Sequence, residues 1–136
     1  MSAVLPALES VSWLCVRDGR LLAVRTHGRE VFYLPGGKLE PGESGPQALS
    51  RELSEELGIA AAPEALTEAF VVEDVAHGQE DGRRLHMTCY TGEAAGEPAP
   101  GREIAELAWL GVADAGRGAP ALWQVIERLA AEGLLA

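Results

Sequence analysis

The chain has 136 residues, 47% of them hydrophobic and 24% charged, enough for one domain that buries a single core without disulfide or metal staples. Its formal net charge of −10 argues against a basic face and hence against non-specific binding to nucleic acid. No apolar run approaches the roughly 20 residues of a membrane span, and the N-terminus lacks the basic segment and apolar core of a signal peptide, so a cytoplasmic protein is expected.

In chain order, residues 10–17 and 20–25 are rich in β-forming side chains and are joined by Asp18-Gly19, a strong hairpin signal. Residues 26–30 read as a polar loop and 31–34 as a short strand that stops at Pro35-Gly36-Gly37. Those glycines permit close backbone approaches that a β-carbon would block, and such a loop feeding a helix can present N–H groups to phosphate oxygens. A helix follows, with Ser44 as its N-cap, Pro46 in its first turn and Gly58 as its stop. Residues 60–63 are a linker. Residues 66–75 and 83–91 are strands paired through a polar turn at 76–82, residues 92–102 a loop, and 104–110 a last strand. Pro120 opens a final helix whose Leu122, Val125, Ile126 and Leu129 follow the i, i+3, i+4, i+7 pattern, with Gly133 as its stop. Strands, a helix, strands and a helix predict an α/β fold with a mixed sheet sandwiched between helices. Cys15 and Cys89 sit in apolar, strand-like runs and read as buried small hydrophobes.

The first helix carries the chemistry. Leu49, Leu53 and Leu57 form a narrow apolar stripe, and Glu52, Glu55 and Glu56 form a second stripe roughly a right angle away. Like charges at this spacing destabilise a helix by a few tenths of a kcal/mol per pair. A solvated acidic face usually interleaves opposite charges, and here the only one is Arg51. Carboxylates clustered on the rim of a cleft are what hard divalent cations such as Mg²⁺ and Mn²⁺ require. Lys38, the only lysine, lies in the preceding loop and, with Arg25, is a candidate for neutralising substrate phosphates in an otherwise acidic chain. His27, His77 and His86 are isolated and show no metal-ligand spacing; Trp13, Trp109 and Trp123 read as core, with Trp123 also a candidate stacking surface.

Residues 37–59 match, at Gly37, Glu43, Arg51, Glu52, Leu53, Glu55, Glu56, Gly58 and Ile59, the pattern Gly, five residues, Glu, seven residues, Arg-Glu-hydrophobic-any-Glu-Glu-any-Gly-hydrophobic. This stretch resembles the Nudix box without a departure. A chance match is on the order of one in 10⁹ per window, which makes the motif far more specific than a lone glycine-rich turn. The resemblance implies a Nudix α/β/α sandwich and hydrolysis of a nucleoside diphosphate linked to another group. It also implies that Glu55 and Glu56 are the principal Mg²⁺ ligands, with Mn²⁺ as a substitute, and that Glu52 is a further ligand or the general base. Glu43 and Arg51 would form an ion pair that braces the loop, Gly37 would supply a backbone contact to the metal, and Glu103 would be an acidic residue that reaches the metals from outside the box. Members of the family are often dimers, and the sequence alone points to no interface.

Nudix subfamilies often carry further signatures after the box. The ADP-ribose group tends to have a proline where this chain has Glu73-Asp74-Val75; the NADH group has Ser-Gln-Pro-Trp, which is absent; and the diadenosine group has a tyrosine where this chain has Ala76-His77. The resemblance therefore points to a MutT-like enzyme that converts a (deoxy)nucleoside triphosphate to monophosphate and pyrophosphate. The alternatives are an ADP-ribose or nucleotide-sugar pyrophosphatase, a non-catalytic nucleotide sensor, and isopentenyl diphosphate isomerase-like chemistry, which would need Cys15 or Cys89 to be catalytic.

Overall fold

The strand β3 (Arg20–Thr26) shows how the layers are arranged. Leu21, Leu22, Ala23 and Val24 are all buried. Leu21 and Ala23 belong to one core cluster, Leu22 and Val24 to another. Successive side chains of a strand point to opposite faces, so an unbroken apolar run marks a strand covered on both sides. The first cluster takes in Leu122, Val125, Ile126 and Leu129 of the C-terminal helix α2 (Pro120–Ala131). The second takes in Ala48, Leu49, Leu53 and Leu57 of helix α1 (Gly45–Leu57). Helices thus cover both faces of a β layer, the α/β/α sandwich expected from the element order.

The computed structural model describes residues 6–75 and 83–136. The remaining strands are β1 (Leu8–Trp13), β2 (Val16–Arg17), β4 (Gly36–Lys38), β5 (Thr67–Val75), β6 (Arg84–Thr91) and β7 (Ile104–Leu110), with 3₁₀ turns at Pro63–Ala65 and Val112–Arg117. The β layer is two sheets: β4-β1-β6-β5, in which β1 and β6 run parallel and the other pairs antiparallel, and an antiparallel β2-β3-β7.

Three local readings of the sequence are corrected. The predicted strand 10–17 is two strands in different sheets. The chain crosses between them at Leu14 and Cys15: the Leu14 N–H donates to Tyr90 O in one sheet, and the Cys15 carbonyl accepts from Leu22 in the other, both at 2.9 Å. The hairpin is therefore β2–β3, turning through Asp18 and Gly19, both with positive φ. The predicted strand 31–34 makes only isolated bridges, Val24 with Tyr33 and Phe32 with Gly118, while Phe32 and Leu34 act as apolar plugs in the α2 cluster. The glycine stretch after it, read as a loop, instead pairs with β1 as strand β4, in register Ser12 to Gly36 and Ser10 to Lys38. Strands 66–75 and 83–91 pair antiparallel as expected; the turn at 76–82 lies outside the described residues. Among the described residues no helix is long and apolar enough to cross a membrane.

Cys15 and Cys89 are buried and unbridged. Burial pushes the Cys89 thiol up to about 12 and raises Cys15 despite the nearby Arg17 guanidinium. The thiolate is the reactive form, so native protein is expected to resist iodoacetamide at pH 8 and to take up two labels once unfolded. Rapid labelling of the native chain, read by intact mass, would contradict this and reopen cysteine chemistry.

Candidate active site

The site is built from the second half of α1, the β4 strand before that helix, and the loop that precedes β7. Ser44 caps α1 by accepting from the Gln47 N–H at 3.2 Å, while Gln47 Oε1 accepts from the Ser44 N–H at 3.0 Å. Gly58 ends the helix in the left-handed conformation, φ 66°. Leu49, Leu53 and Leu57 are fully buried. Each contributes roughly 1.5–3 kcal/mol on burial, far more than the few tenths lost to each like-charge pair on the neighbouring stripe. Packing of the leucine stripe therefore fixes the rotation of α1 and presents Glu52 and Glu56 toward β4, with Glu55 beside them on the helix.

Arg51 organises those carboxylates. Its Nε and Nη2 donate to Glu43 Oε2 and Oε1 at 2.8 and 3.0 Å, a two-pronged grip. Its Nη1 donates to Glu52 Oε1 at 3.0 Å and Glu55 Oε2 at 3.5 Å, and its Nη2 also reaches the Lys38 carbonyl at 3.2 Å. One guanidinium thus ties the loop of Glu43 and Lys38 to two glutamates of the helix. Glu43 also accepts from the Glu40 N–H at 2.8 Å. The Arg51 grip, with this second bond, holds the Glu43 carboxyl down at about 2, against an ordinary value of 4.5.

Because its folded value is depressed, Glu43 contributes stability that is fully present above about pH 4.5 and lost as the pH falls toward about 2. Glu43→Gln is expected to melt below the wild type at pH 7, with the gap narrowing under pH 4.5 and closing near pH 2. Melting curves across that range check it; a gap independent of pH would show that the pair does not act through charge.

Glu56 points inward. Its Oε1 accepts from the Gly36 N–H at 2.9 Å. Burial pushes its carboxyl up to about 8, against this hydrogen bond, with further upward pushes from Glu52, Glu103 and Glu55. Glu52 is raised too, by burial first and by Glu55 and Glu103, while Arg51 opposes. Glu103 is therefore within electrostatic reach of the helix glutamates. It is placed by a loop that docks on the end of α1: the Gly101 N–H donates to Glu56 O at 2.8 Å and the Ala99 N–H to Leu57 O at 3.1 Å. A β-carbon on Gly101 would stand 2.6 Å from Glu55 O, so this close docking requires glycine. Gly37 is similarly tight: a β-carbon there would meet Glu52 Oε1 at 2.6 Å.

Among the described residues no three acidic, histidine or cysteine side chains close into a ready-made ion cage. The donor set nonetheless suits a hard, water-rich cation. Mg²⁺ typically takes one or two carboxylates and keeps several waters rather than using an all-protein cage. A buried carboxylate raised to about 8 among other acids is a group whose charge a cation would stabilise.

A cleft of about 310 Å³ opens beside Glu56. Its walls include Leu8, Leu85, Met87 and Leu122, and its polar lining includes Ser10, Arg29, Tyr33 and Lys38. Arg25 does not line the cleft: its Nε donates to Glu106 Oε1 at 2.7 Å across β3 and β7, and its Nη1 to Arg29 O at 2.9 Å. Arg29, Tyr33 and Gly101 escaped the sequence reading. All three lie outside the motif, and no local pattern distinguishes them from ordinary loop residues. Trp13 is buried and donates from Nε1 to Gly92 O at 3.0 Å, whereas Trp123 is 45% exposed on α2 and does not line the cleft.

Comparison with known proteins adds four findings. A family model described as NUDIX domain matches residues 8–129. The chain is 40% identical over 86 residues to a CTP pyrophosphohydrolase of Escherichia coli K12, covering 59% of this chain and 58% of that one. Over 46 residues it is 44% identical to an RNA pyrophosphohydrolase of Proteus mirabilis, covering 34% of this chain and 26% of that one. The chain thus spans less than two thirds of the length of either relative. The solution structure of the E. coli ORF135 protein superposes with a TM-score of 0.70 at 30% identity, covering 93% of this chain and 91% of that one.

Proposed function

The chain belongs to the NUDIX family, and from that premise we propose that it is a Mg²⁺-dependent pyrophosphohydrolase that cleaves a (deoxy)nucleoside triphosphate to monophosphate and pyrophosphate. The observation that carries the reading is that Glu56, which shares a helix face with Glu52 and Glu55, lines the same cleft as Lys38. A nucleoside lying in the cleft would present its phosphates to the glutamates. The volume, about 310 Å³, is at the small end for ligand pockets and favours one nucleoside over a dinucleoside. The two relatives are by name a CTP and an RNA pyrophosphohydrolase, and their shared bond class supports this one.

In this proposal Glu55 and Glu56 hold the ion, with the Gly37 backbone and Glu103 beside them. Mg²⁺, when bound, supplies charge neutralisation for the phosphates and a more acidic water. Glu52 either completes the ligand set or accepts the proton of the attacking water. Its Oε1 is engaged by Arg51, which leaves Oε2 for that task. Arg51 and Glu43 hold the carboxylates in place, and Lys38 offsets phosphate charge. Mn²⁺ would substitute for Mg²⁺.

The test is a substrate panel with Mg²⁺ and with Mn²⁺: canonical and oxidised nucleoside triphosphates, ADP-ribose, nucleotide sugars and dinucleoside polyphosphates. Preferred turnover of a triphosphate is expected. Turnover of ADP-ribose or sugar nucleotides alone would overturn the substrate and keep the bond class. Tight binding without turnover of any member would replace the enzyme by a nucleotide sensor.

A further inference from the structure

Among the described residues, two cations, Arg29 and Lys38, line the cleft, and the only acidic lining residue is Glu56. Two of the basic residues near the site are already engaged. Arg51 is held by Glu43, Glu52 and Glu55, and Arg25 by Glu106 and the Arg29 carbonyl. Arg29 differs: it is exposed and makes no ion pair among the described residues. Its backbone is nonetheless anchored. The Arg29 carbonyl accepts from Arg25 at 2.9 Å, the Arg29 N–H donates to Thr26 O at 3.2 Å, and the His27 N–H donates to Glu103 O at 2.9 Å. The segment that carries Arg29 is thus tied to the loop that carries Glu103. Tyr33 stands close enough to feel the Arg29 charge.

We infer that Arg29 is a substrate-binding residue that grips the phosphate chain of the nucleotide from the lining of the cleft, the task the sequence suggested for Arg25. The inference rests on the nucleotide reading above. A guanidinium suits it because its planar fork bonds two phosphate oxygens at once. A free cation held on an anchored backbone also reverses locally the repulsion that a chain of net charge −10 exerts on a polyanion.

The experiment is calorimetric binding of inorganic triphosphate with Mg²⁺, and separately of an unphosphorylated nucleoside, to wild type, Arg29→Ala and Arg29→Lys, alongside melting curves and wild-type turnover. Arg29→Ala is expected to weaken triphosphate binding roughly 10–100-fold, the range of a charge-assisted hydrogen bond. Nucleoside affinity and Tm should stay unchanged, and Arg29→Lys should recover part of the loss. Unchanged triphosphate binding in Arg29→Ala overturns the assignment, as does an equal loss for the nucleoside, which would place Arg29 on the base. Wild-type turnover keeps the two questions apart. If wild type hydrolyses nucleotides but Arg29→Ala binds triphosphate normally, Arg29 is wrong and the enzyme reading stands. If triphosphate binding depends on Arg29 but no nucleotide is hydrolysed, the phosphate contact stands and the enzyme reading falls.

Discussion

Glu56→Gln is expected to lower turnover with Mg²⁺ by roughly 10²–10⁴-fold or more, the scale of losing an essential acid–base or ligand group. It is also expected to make the metal-free protein more stable in mild alkali. The Glu56 carboxyl is raised by burial to about 8 from an ordinary 4.5. A group raised in this way contributes stability that is complete below about pH 4.5 and is lost as the pH rises through about 8, because the folded chain must then hold a buried charge. Each unit of displacement corresponds to about 1.4 kcal/mol; with the titration shared among neighbouring acids, the cost is on the order of 2–4 kcal/mol. Glutamine keeps the shape and can still accept from the Gly36 N–H, but never carries the charge. An inactive variant that melts above the wild type in EDTA at pH 9 is therefore the expected result. A variant that melts below it would make Glu56 a structural residue, and full activity would remove it from the site.

Gly36→Ala is expected to have the largest effect on folding. Gly36 has φ 144°, a conformation side chains rarely adopt, and a β-carbon there would overlap the Val11 carbonyl oxygen and stand 2.9 Å from Ser12 Cα. Both obstacles are backbone atoms of β1, so neither can swing aside. Strain at such a position costs about 1–3 kcal/mol, and forcing atoms into packed space costs a similar amount. A loss of roughly 2–6 kcal/mol is expected in denaturant titration, together with the β4–β1 pairing and the N–H partner of Glu56. Gly37→Ala provides the contrast. The atoms nearest its β-carbon would be those of the Glu52 carboxylate, the far end of a flexible side chain. The chain should keep most of its stability while the displaced carboxylate lowers activity. If Gly36→Ala were as stable as the wild type, the description of β4 as a tightly paired strand would be wrong.

These two glycines also show where the sequence was legible. The α1 segment could be read because each of its tasks has its own residue type at a fixed spacing: a capping serine, a leucine stripe, a glutamate stripe and a terminal glycine. Strand β7 was legible from its β-rich run, and α2 from its i, i+3, i+4, i+7 repeat. Strand β4 was hidden, because Gly36-Gly37-Lys38 has no alternating apolar side chains to announce it; its pairing depends on what is missing at Cβ. Residues 31–34 showed the opposite failure. Their apolar content suggested a strand, but Phe32 and Leu34 are buried as plugs in the α2 cluster without a continuous ladder. The glutamates, Gly37, Lys38 and the Glu43–Arg51 pair lie within one local motif. Glu103, Arg29 and Gly101 reach the same region only through tertiary docking, of a loop on the carbonyls of α1 and of the segment after β3 on the cleft. The pairing of Arg25 was not legible because its partner, Glu106, is 81 residues away and becomes its neighbour only when β3 pairs with β7.

The central claim is that the glutamate face of α1 directs water to the pyrophosphate linkage of a nucleotide. The most direct measurement is product identity by mass after one nucleoside triphosphate is turned over with Mg²⁺ in isotopically labelled water. The account predicts nucleoside monophosphate and pyrophosphate, with one label in one of the two products and turnover lowered roughly 10²–10⁴-fold or more in Glu56→Gln. Release of nucleoside diphosphate and inorganic phosphate would contradict it, since cleavage would then be at the terminal phosphate.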